Sequence, residues 1–479
     1  MAGRLLSYNS INNFLSLNIS AFIIQVLGFF TIPYIARKVG IEAFGILGIA
    51  QSTQFMFVML SDMGTETLST KEIAQNRNNI QEVFPRFFTI RIFFAIVSFI
   101  VLLLYLFVVR IDFFEKVIVL LYGISIFLFA LLIEWFFQGI ERATVVSGFR
   151  ILKVLIYSSL IFLFVRDAGD TVLVPIFYNF SLSLVVVLML LSYRKEFGGI
   201  KVGLKLINIS DNIRILVPIG LGRFFEAGFL RFPVIILGIL VATTEVGIYN
   251  CANQIILFGT LLIVNLQFII FPILARLLIH SHDSYIRYLY LIVKYLFLVG
   301  TPLTLIGMIF SEGILHLLYG QSEIALQTNN IAAASFIFKV LALSVLIMLI
   351  RAPLNNTFII ERKQKLFLKL LSVSFMVNTG LSILFIKWFG IKGASLAVLS
   401  GEIVLFLLVL FYSDSFSRYN FRLNIMAMVT FLLLMPMVFV EIHHDKMLWY
   451  ILGGMVIYVW FLRLSGVIKN KELKFIVQA

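Results

Sequence analysis

Cysteine is all but missing. Cys251 is the single one among 479 residues, so no disulfide can close within the chain, and its place near the start of an apolar stretch suits a small packing residue. Charge is scarce too: Asp, Glu, Lys and Arg make up 13% of residues against 61% that are hydrophobic, too little polar surface to clothe a soluble domain. No glycine-rich loop ends in Lys followed by Ser or Thr, which excludes ATP binding of the Walker kind. The histidines do not assemble a metal-ligand spacing: His280 and His282 flank one loop, His443 and His444 lie beside Asp445, and His316 is isolated. No long polar stretch is left to fold as a catalytic domain, which argues against a membrane glycosyltransferase or a polysaccharide polymerase.

What the chain has is apolar length. Stretches of about 20 residues, enough to cross a hydrocarbon layer of about 30 Å, recur at 14–36, 44–67, 84–109, 116–138, 149–166, 172–193, 213–241, 246–274, 286–310, 331–356, 366–388, 393–412, 424–441 and 447–465. These predict an all-α polytopic membrane protein of about 14 transmembrane helices. Basic residues divide unevenly between alternate loops, roughly 24 on the side of both termini and about 8 on the other, which places the termini in the cytoplasm. The bias comes from Arg194, Lys195, Lys201 and Lys205, then Arg362, Lys363, Lys365 and Lys369, and the tail Lys469, Lys471 and Lys474. The formal charge of +14 therefore reports topology and anionic headgroups, not nucleic acid. The first apolar span is full length and runs into others, so it is expected to anchor and not to be cleaved.

The chain contains an echo of itself. Gly45-Ile46-Leu47-Gly48-Ile49-Ala50-Gln51 aligns with Gly247-Ile248-Tyr249-Asn250-Cys251-Ala252-Asn253 at an offset of about 202, each after a loop bearing Glu42 or Glu245. Gly139-Ile140-Glu141-Arg142 resembles Ile359-Ile360-Glu361-Arg362 at an offset of about 220. Six helices separate element from copy, so both copies keep one orientation in the membrane. The expected organisation is a six-helix lobe over 1–195, a linker over 196–212, a second six-helix lobe over 213–412, and two further helices with a basic tail over 413–479. The linker alternates Lys with Leu, Ile and Val after Gly198-Gly199, which fits an interfacial segment or a flexible loop.

Three segments carry a resemblance. Gly40-Ile41-Glu42-Ala43-Phe44-Gly45-Ile46-Leu47, Glu134-Trp135-Phe136-Phe137-Gln138-Gly139-Ile140-Glu141-Arg142 and Gly390-Ile391-Lys392-Gly393-Ala394-Ser395-Leu396-Ala397 resemble the polysaccharide (O-antigen) flippases of the multidrug/oligosaccharidyl-lipid/polysaccharide exporter superfamily, the second being the most specific. The resemblance implies two parallel lobes around a central cavity, two C-terminal helices, alternating access, and movement of undecaprenyl-pyrophosphate-linked repeat units for O-antigen and lipopolysaccharide biosynthesis to the outer leaflet of a bacterial inner membrane.

Charges inside spans are the candidate site. Each costs about 2.5–3.5 kcal/mol at the bilayer centre, so such residues face partners or water. Arg223, Glu226 and Arg231 in the seventh span share a sector of roughly 140°, with the arginines about 12 Å apart along the axis. Arginine keeps its charge when dried and forks onto phosphate oxygens, so Arg223 and Arg231 are the candidate pyrophosphate ligands, with Glu226 as counter-ion or coupling group. The other reading is an Arg–Glu pair stitching helices together. Gln51, Gln54, Asp62 and Glu66 fall within about 120° of one face of the second span. The amides would meet sugar hydroxyls and the acids would serve coupling, or the acids are interfacial caps, with Arg91 as a partner for one of them. Asn253 and Gln267 offer a comparable face on the eighth span. Glu134, Trp135 and Gln138 combine a stacking ring with polar groups, which fits sugar contact or an interface anchor. Lys294 and Arg351 are expected to snorkel to the cytoplasmic face, leaving Lys339 and Glu402 as further cavity candidates. Pro33, Pro218, Pro233 and Pro302 would permit bends.

Together with what the resemblance implies, the expectation is a lipid-linked oligosaccharide flippase, not an enzyme, without cofactor or metal, driven by a proton or sodium gradient, by potential or by downstream consumption. Its partners would be the polyprenyl-pyrophosphate cargo, the bilayer, and polymerase and chain-length machinery. A multidrug or cation antiporter of the same superfamily would need an acid for cationic cargo, and the first span has none. The basic-residue bias predicts that reporter fusions at Lys201 and Asp445 report opposite sides of the membrane, cytoplasmic at Lys201; the same side for both would overturn the fourteen-span topology.

Overall fold

The computed structural model describes residues 8–75, 80–199, 209–320 and 328–413, and these are helical apart from short connections. The helices are α1 (Tyr8–Val39), α2 (Ile41–Asp62), α3 (Thr65–Gln75), α4 (Ile80–Val108), α5 (Phe113–Gly123), α6 (Ser125–Leu131), α7 (Glu134–Gly139), α8 (Ala143–Phe164), α9 (Leu173–Phe197), α10 (Ile209–Leu240), α11 (Thr243–His280), α12 (His282–Ile309), α13 (Ser311–Tyr319), α14 (Thr328–Ile360), α15 (Gln364–Phe389) and α16 (Ile391–Tyr412). Among the described residues, ten helical segments are long and apolar enough to cross a membrane. The first twelve expected spans each fall on a helix or a helix series. The last two, at 424–441 and 447–465, lie outside the described residues, as do most of the linker, Asp445, His443 and His444.

The polarity of the helices is that of a protein in lipid. On α4 the buried positions Arg91, Ala95, Ser98, Leu102 and Leu106 recur every three or four residues, as one helical face must. The other face exposes Phe93, Val97, Ile100, Leu104 and Phe107, an apolar surface that water would not tolerate and hydrocarbon would.

Two expected spans are broken. The stretch 44–67 ends as a helix at Asp62, because Met63 (φ 41°) and Gly64 (φ 78°) turn left-handed, and α3 starts afresh at Thr65. Glu66 therefore does not continue the face of α2 that carries Gln51 and Gln54. The stretch 116–138 becomes α5, α6 and α7, with Leu132 extended at the second break. Irregular backbone at membrane depth survives only when enclosed by protein, and Leu132 and Ile133 are buried.

Packing divides the chain into two compact units, one up to Asn250 and one from Cys251 on. In the first, α10 lies along α2, α1 along α8, and α4 against α2. In the second, α14 and α16 pack together with α12 and α15 around them. This division falls later than the linker expected at 196–212 between lobes 1–195 and 213–412, and α10 packs with the helices that precede it. The first unit has an aromatic core in which Phe84 stacks on Trp135 and Tyr193, while Phe136 meets both Tyr193 and Phe197 edge-on.

The repeat motif marks a backbone crossing in the first unit. A Cβ on Gly45 would stand 2.0 Å from the Thr243 carbonyl oxygen, and one on Gly247 would stand 2.0 Å from that of Ile41. Gly45 corresponds to Gly247 and Ile41 to Thr243 at the same offset of about 202, so the two contacts are reciprocal and α2 and α11 cross where only glycine allows it. Gly247→Val and Gly45→Val should each destabilise the protein by at least about 1–3 kcal/mol, the range for overpacking; detergent thermal-shift midpoints equal to wild type would refute the crossing.

Candidate functional site

The breaks in the helices leave backbone groups without partners, and one ion pair serves both. Where α6 stops, Arg91 donates from Nη2 to the Phe129 carbonyl at 2.8 Å and from Nε to the Ala130 carbonyl at 3.3 Å. Its Nη1 donates to Asp62 Oδ1 at 3.1 Å. Asp62 in turn accepts from the backbone amides of Gly64 at 3.2 Å and Glu66 at 3.0 Å, and from the Thr65 hydroxyl at 2.9 Å. A cation at a helix C-terminus and an anion at a helix N-terminus each meet the favourable end of a dipole. The expected partnership of Arg91 with one of the two acids is thus formed with Asp62.

Asp62 has a second arginine. From α10, Arg223 Nη1 reaches Asp62 Oδ2 at 3.0 Å and Glu66 Oε2 at 3.5 Å. The two arginines differ in access: the side chain of Arg223 is 41% exposed and that of Arg91 is 9% exposed. Glu66 lies on α3, outside the ten apolar segments. Its carboxyl is held above the usual carboxylate range first by burial and then by the Asp62 carboxylate, against the pull of Arg223 and Arg91. The carboxylates that meet Arg223 are therefore Asp62 and Glu66; Glu226 makes no ion pair among the described residues.

A second wall of the same unit comes from α7, α8 and α9. Glu134 Oε2 accepts from Arg150 Nε at 2.9 Å and Nη2 at 2.6 Å. One turn on, Lys153 places its ammonium 5.9 Å from the centre of the Phe129 ring. Tyr122 and Tyr157 both pack against Tyr178. Gln54 on α2 donates to the Ser125 hydroxyl at 2.8 Å, and the Arg231 guanidinium lies 4.8 Å over Phe55. Across these walls the cations Arg91, Arg150, Lys153, Arg223 and Arg231 stand with the carboxylates of Asp62, Glu66 and Glu134.

The remaining candidates divide plainly. Trp135 is fully buried in the aromatic core, so its ring is a packing element and not a sugar platform. Gln51 and Gln138 are half-buried in the first unit, and Gln267 is half-buried in the second. Asn253 is buried in the second unit with neither side-chain atom hydrogen-bonded. Arg351 does not snorkel: it is enclosed and donates to Glu402 at 3.0 Å, while Lys294 and Lys339 are buried too. Sequence reasoning passed over Arg150, Lys153, Tyr122, Tyr157 and Tyr178. The signal for the two cations was present, since both sit in the apolar run of α8; nothing in the periodicity distinguishes the tyrosines from core residues.

A family model described as polysaccharide biosynthesis protein matches residues 10–278. A curated relative from Escherichia coli (strain K12), described as "Putative O-antigen transporter", is 29% identical over 239 residues, which is 48% of this chain and 56% of its own length. The chain thus spans little more than half of that relative. A protein of the same description from Shigella dysenteriae is 20% identical over 388 residues, covering 80% of this chain and 94% of its own. Among solved structures, the lipid II flippase MurJ in an inward closed conformation matches with TM-score 0.66 at 15% identity, over 93% of this chain and 98% of its own. An inward-facing multidrug resistance MATE family transporter of the MOP superfamily matches with TM-score 0.65 at 14% identity, over 87% and 99%. At these identities the two structures share the fold.

The two arginines on Asp62 should separate in a stability measurement. Arg91→Ala strands a buried carboxylate and two carbonyls, and losing one partner of a buried pair costs about 3–5 kcal/mol. Arg223→Ala leaves Asp62 paired, and half-exposed contacts contribute under about 1 kcal/mol. Folded yield in membranes should fall sharply for the first and hold for the second; equal yields would refute the assignment.

Proposed function

The chain belongs to the polysaccharide biosynthesis protein family, and on that premise we propose that it flips a polyprenyl-pyrophosphate-linked oligosaccharide, of the O-antigen repeat-unit type, from the cytoplasmic to the outer leaflet of the bacterial inner membrane. The observation that carries this reading is Arg231. It is a half-buried cation on an aromatic ring, with no carboxylate partner among the described residues, on the same helical sector as the more exposed Arg223. A charge held in an apolar interior calls for a counter-charge, and anionic cargo supplies it.

In the proposed cycle the pyrophosphate first meets Arg231, which has nothing to give up. Arg223 then exchanges Asp62 and Glu66 for phosphate oxygens, a forked contact that arginine makes well. Asp62 stays neutralised by Arg91 throughout. Glu66 has no second arginine, and its already raised affinity for protons rises further when Arg223 leaves, so it takes up a proton as cargo binds. That gives coupling to a proton gradient a defined atom, with Glu226 as the alternative proton acceptor on α10. The sugars would follow into the polar interior while the polyprenyl tail stays in lipid, and alternating access would complete the passage. No step breaks a bond of the cargo, so the reading is a transporter and not an enzyme. A cation antiporter fits less well, because α1 carries no acid and the acids nearest Arg223 are already matched by arginines.

Arg231→Ala and Arg223→Ala should each reduce export of surface polysaccharide by roughly ten- to hundredfold, the worth of one charge-assisted hydrogen bond, with protein level intact. Lys should restore only part at either site, since the fork is lost. Normal export by both Ala variants would move the anion site elsewhere. In reconstituted vesicles Glu66→Gln should flatten the dependence of transport on pH, and Glu226→Gln should not; the opposite pattern would give coupling to Glu226.

A further inference from the structure

Arg231 on Phe55 and Lys153 on Phe129, like Lys38 on Tyr34 at the end of α1, are cations of the first unit that rest on aromatic rings with no carboxylate partner among the described residues. The transport reading uses only the first. Lys153 stands on α8 one turn after Arg150 and one turn before Tyr157, so all three project from one helical face. It is half-buried and makes no hydrogen bond or ion pair among the described residues. Glu134 is the acid within electrostatic reach, but its Oε2 takes both Arg150 contacts, at 2.9 and 2.6 Å, and so balances Arg150 instead. Lys153 is the surplus charge of this wall.

What surrounds Lys153 is suited to carbohydrate. The half-buried Tyr157 and Tyr178 meet edge to face at 6.0 Å, and Tyr122 closes on Tyr178 at 5.6 Å. Tyr178 in turn lies beside Gln54 and within electrostatic reach of Arg231. The half-buried rings of Tyr157 and Tyr178, each edged with a hydroxyl, present an apolar face and a hydrogen-bonding tip together, which matches the two faces of a pyranose. A neutral sugar would leave the ammonium uncompensated in a partly dry site, and that is costly.

We propose that Lys153, Tyr157 and Tyr178 form a carbohydrate subsite for an acidic sugar, in which Lys153 pairs with a carboxylate on the oligosaccharide while the pyrophosphate is left to Arg223 and Arg231. This rests on the flippase reading and adds the chemical class of the cargo's sugar. The flippase reading assigns the pyrophosphate to Arg223 and Arg231 on α10, so the anion left for Lys153 on α8 is the sugar's own carboxylate.

The test uses the full chain in phosphatidylcholine nanodiscs and two short-chain polyprenyl pyrophosphate-linked disaccharides, one ending in glucose and the other in glucuronic acid. Wild type should bind the acidic probe about tenfold more tightly at low ionic strength, the yield of one added charge-assisted contact. Lys153→Gln should bring that ratio to about one, and Lys153→Arg should keep most of it. Arg231→Ala should weaken both probes and preserve the ratio. Equal affinities in wild type would overturn the acidic-sugar subsite, and a ratio unchanged in Lys153→Gln would remove it from Lys153. If Lys153→Gln weakens both probes alike, Lys153 serves the pyrophosphate and the proposal fails. Binding of neither probe by wild type would bring down the flippase reading itself, which distinguishes that failure from the others.

Discussion

Asp62 is held between two guanidinium groups, and the architecture of the first unit follows from that sharing. The carboxylate ends α2 and caps α3; Arg91 takes one oxygen and spends its other nitrogens on the open carbonyls of α6; Arg223 takes the second oxygen from α10. Three helix ends and two further helices, α4 and α10, meet on one charge. In an apolar medium every unpaired backbone group is expensive, so the breaks at Met63–Gly64 and Leu132 are sustainable because this cluster satisfies them. The same cluster is asymmetric: Arg91 is sealed and Arg223 is open. The sealed Arg91 would keep Asp62 paired if Arg223 let go, which in the proposed cycle leaves Arg223 to the cargo.

The chemistry at this site is a consequence of charge surplus. In the proposed reading, arginines with carboxylates hold the resting structure, and cations braced only by aromatic rings are the ones left to meet an anion. Arg231 on Phe55 and Lys153 on Phe129 are of the second kind. They stand on separate helices, α10 and α8, and in the proposal they form a surface with two separate anion contacts. Extended cargo with more than one charged feature suits such a surface. The likeness to the lipid II flippase and to a multidrug transporter is one of fold, and a fold by itself does not choose the cargo.

Much of the helical layout was legible in hydropathy, because lipid imposes one rule on every span. Continuous apolar runs of sufficient length became helices, and Arg91, an arginine in the third span, had to find an acid. The helix breaks were hidden. Met63 and Gly64 interrupt α2 without a proline, and Leu132 interrupts an unbroken apolar run, so periodicity carried Glu66 on along a helix that had already ended. Trp135 was misleading for a related reason: a tryptophan beside Glu and Gln reads as an amphipathic contact, but the ring turns inward onto Phe84 and the carboxylate outward to Arg150.

What the sequence determined by itself is the class of molecule: all-helical, embedded in lipid, with paired glycine motifs at a fixed offset and a handful of charges too costly to be idle. Which charge meets which was decided only by tertiary structure. Arg223 and Glu226 lie one turn apart on α10, yet Arg223 bonds across to Asp62 and Glu66, more than 150 residues away. Helical periodicity fixes the direction in which a side chain leaves its own helix. It says nothing about the helix it faces, and the energy of a buried charge depends on that neighbour.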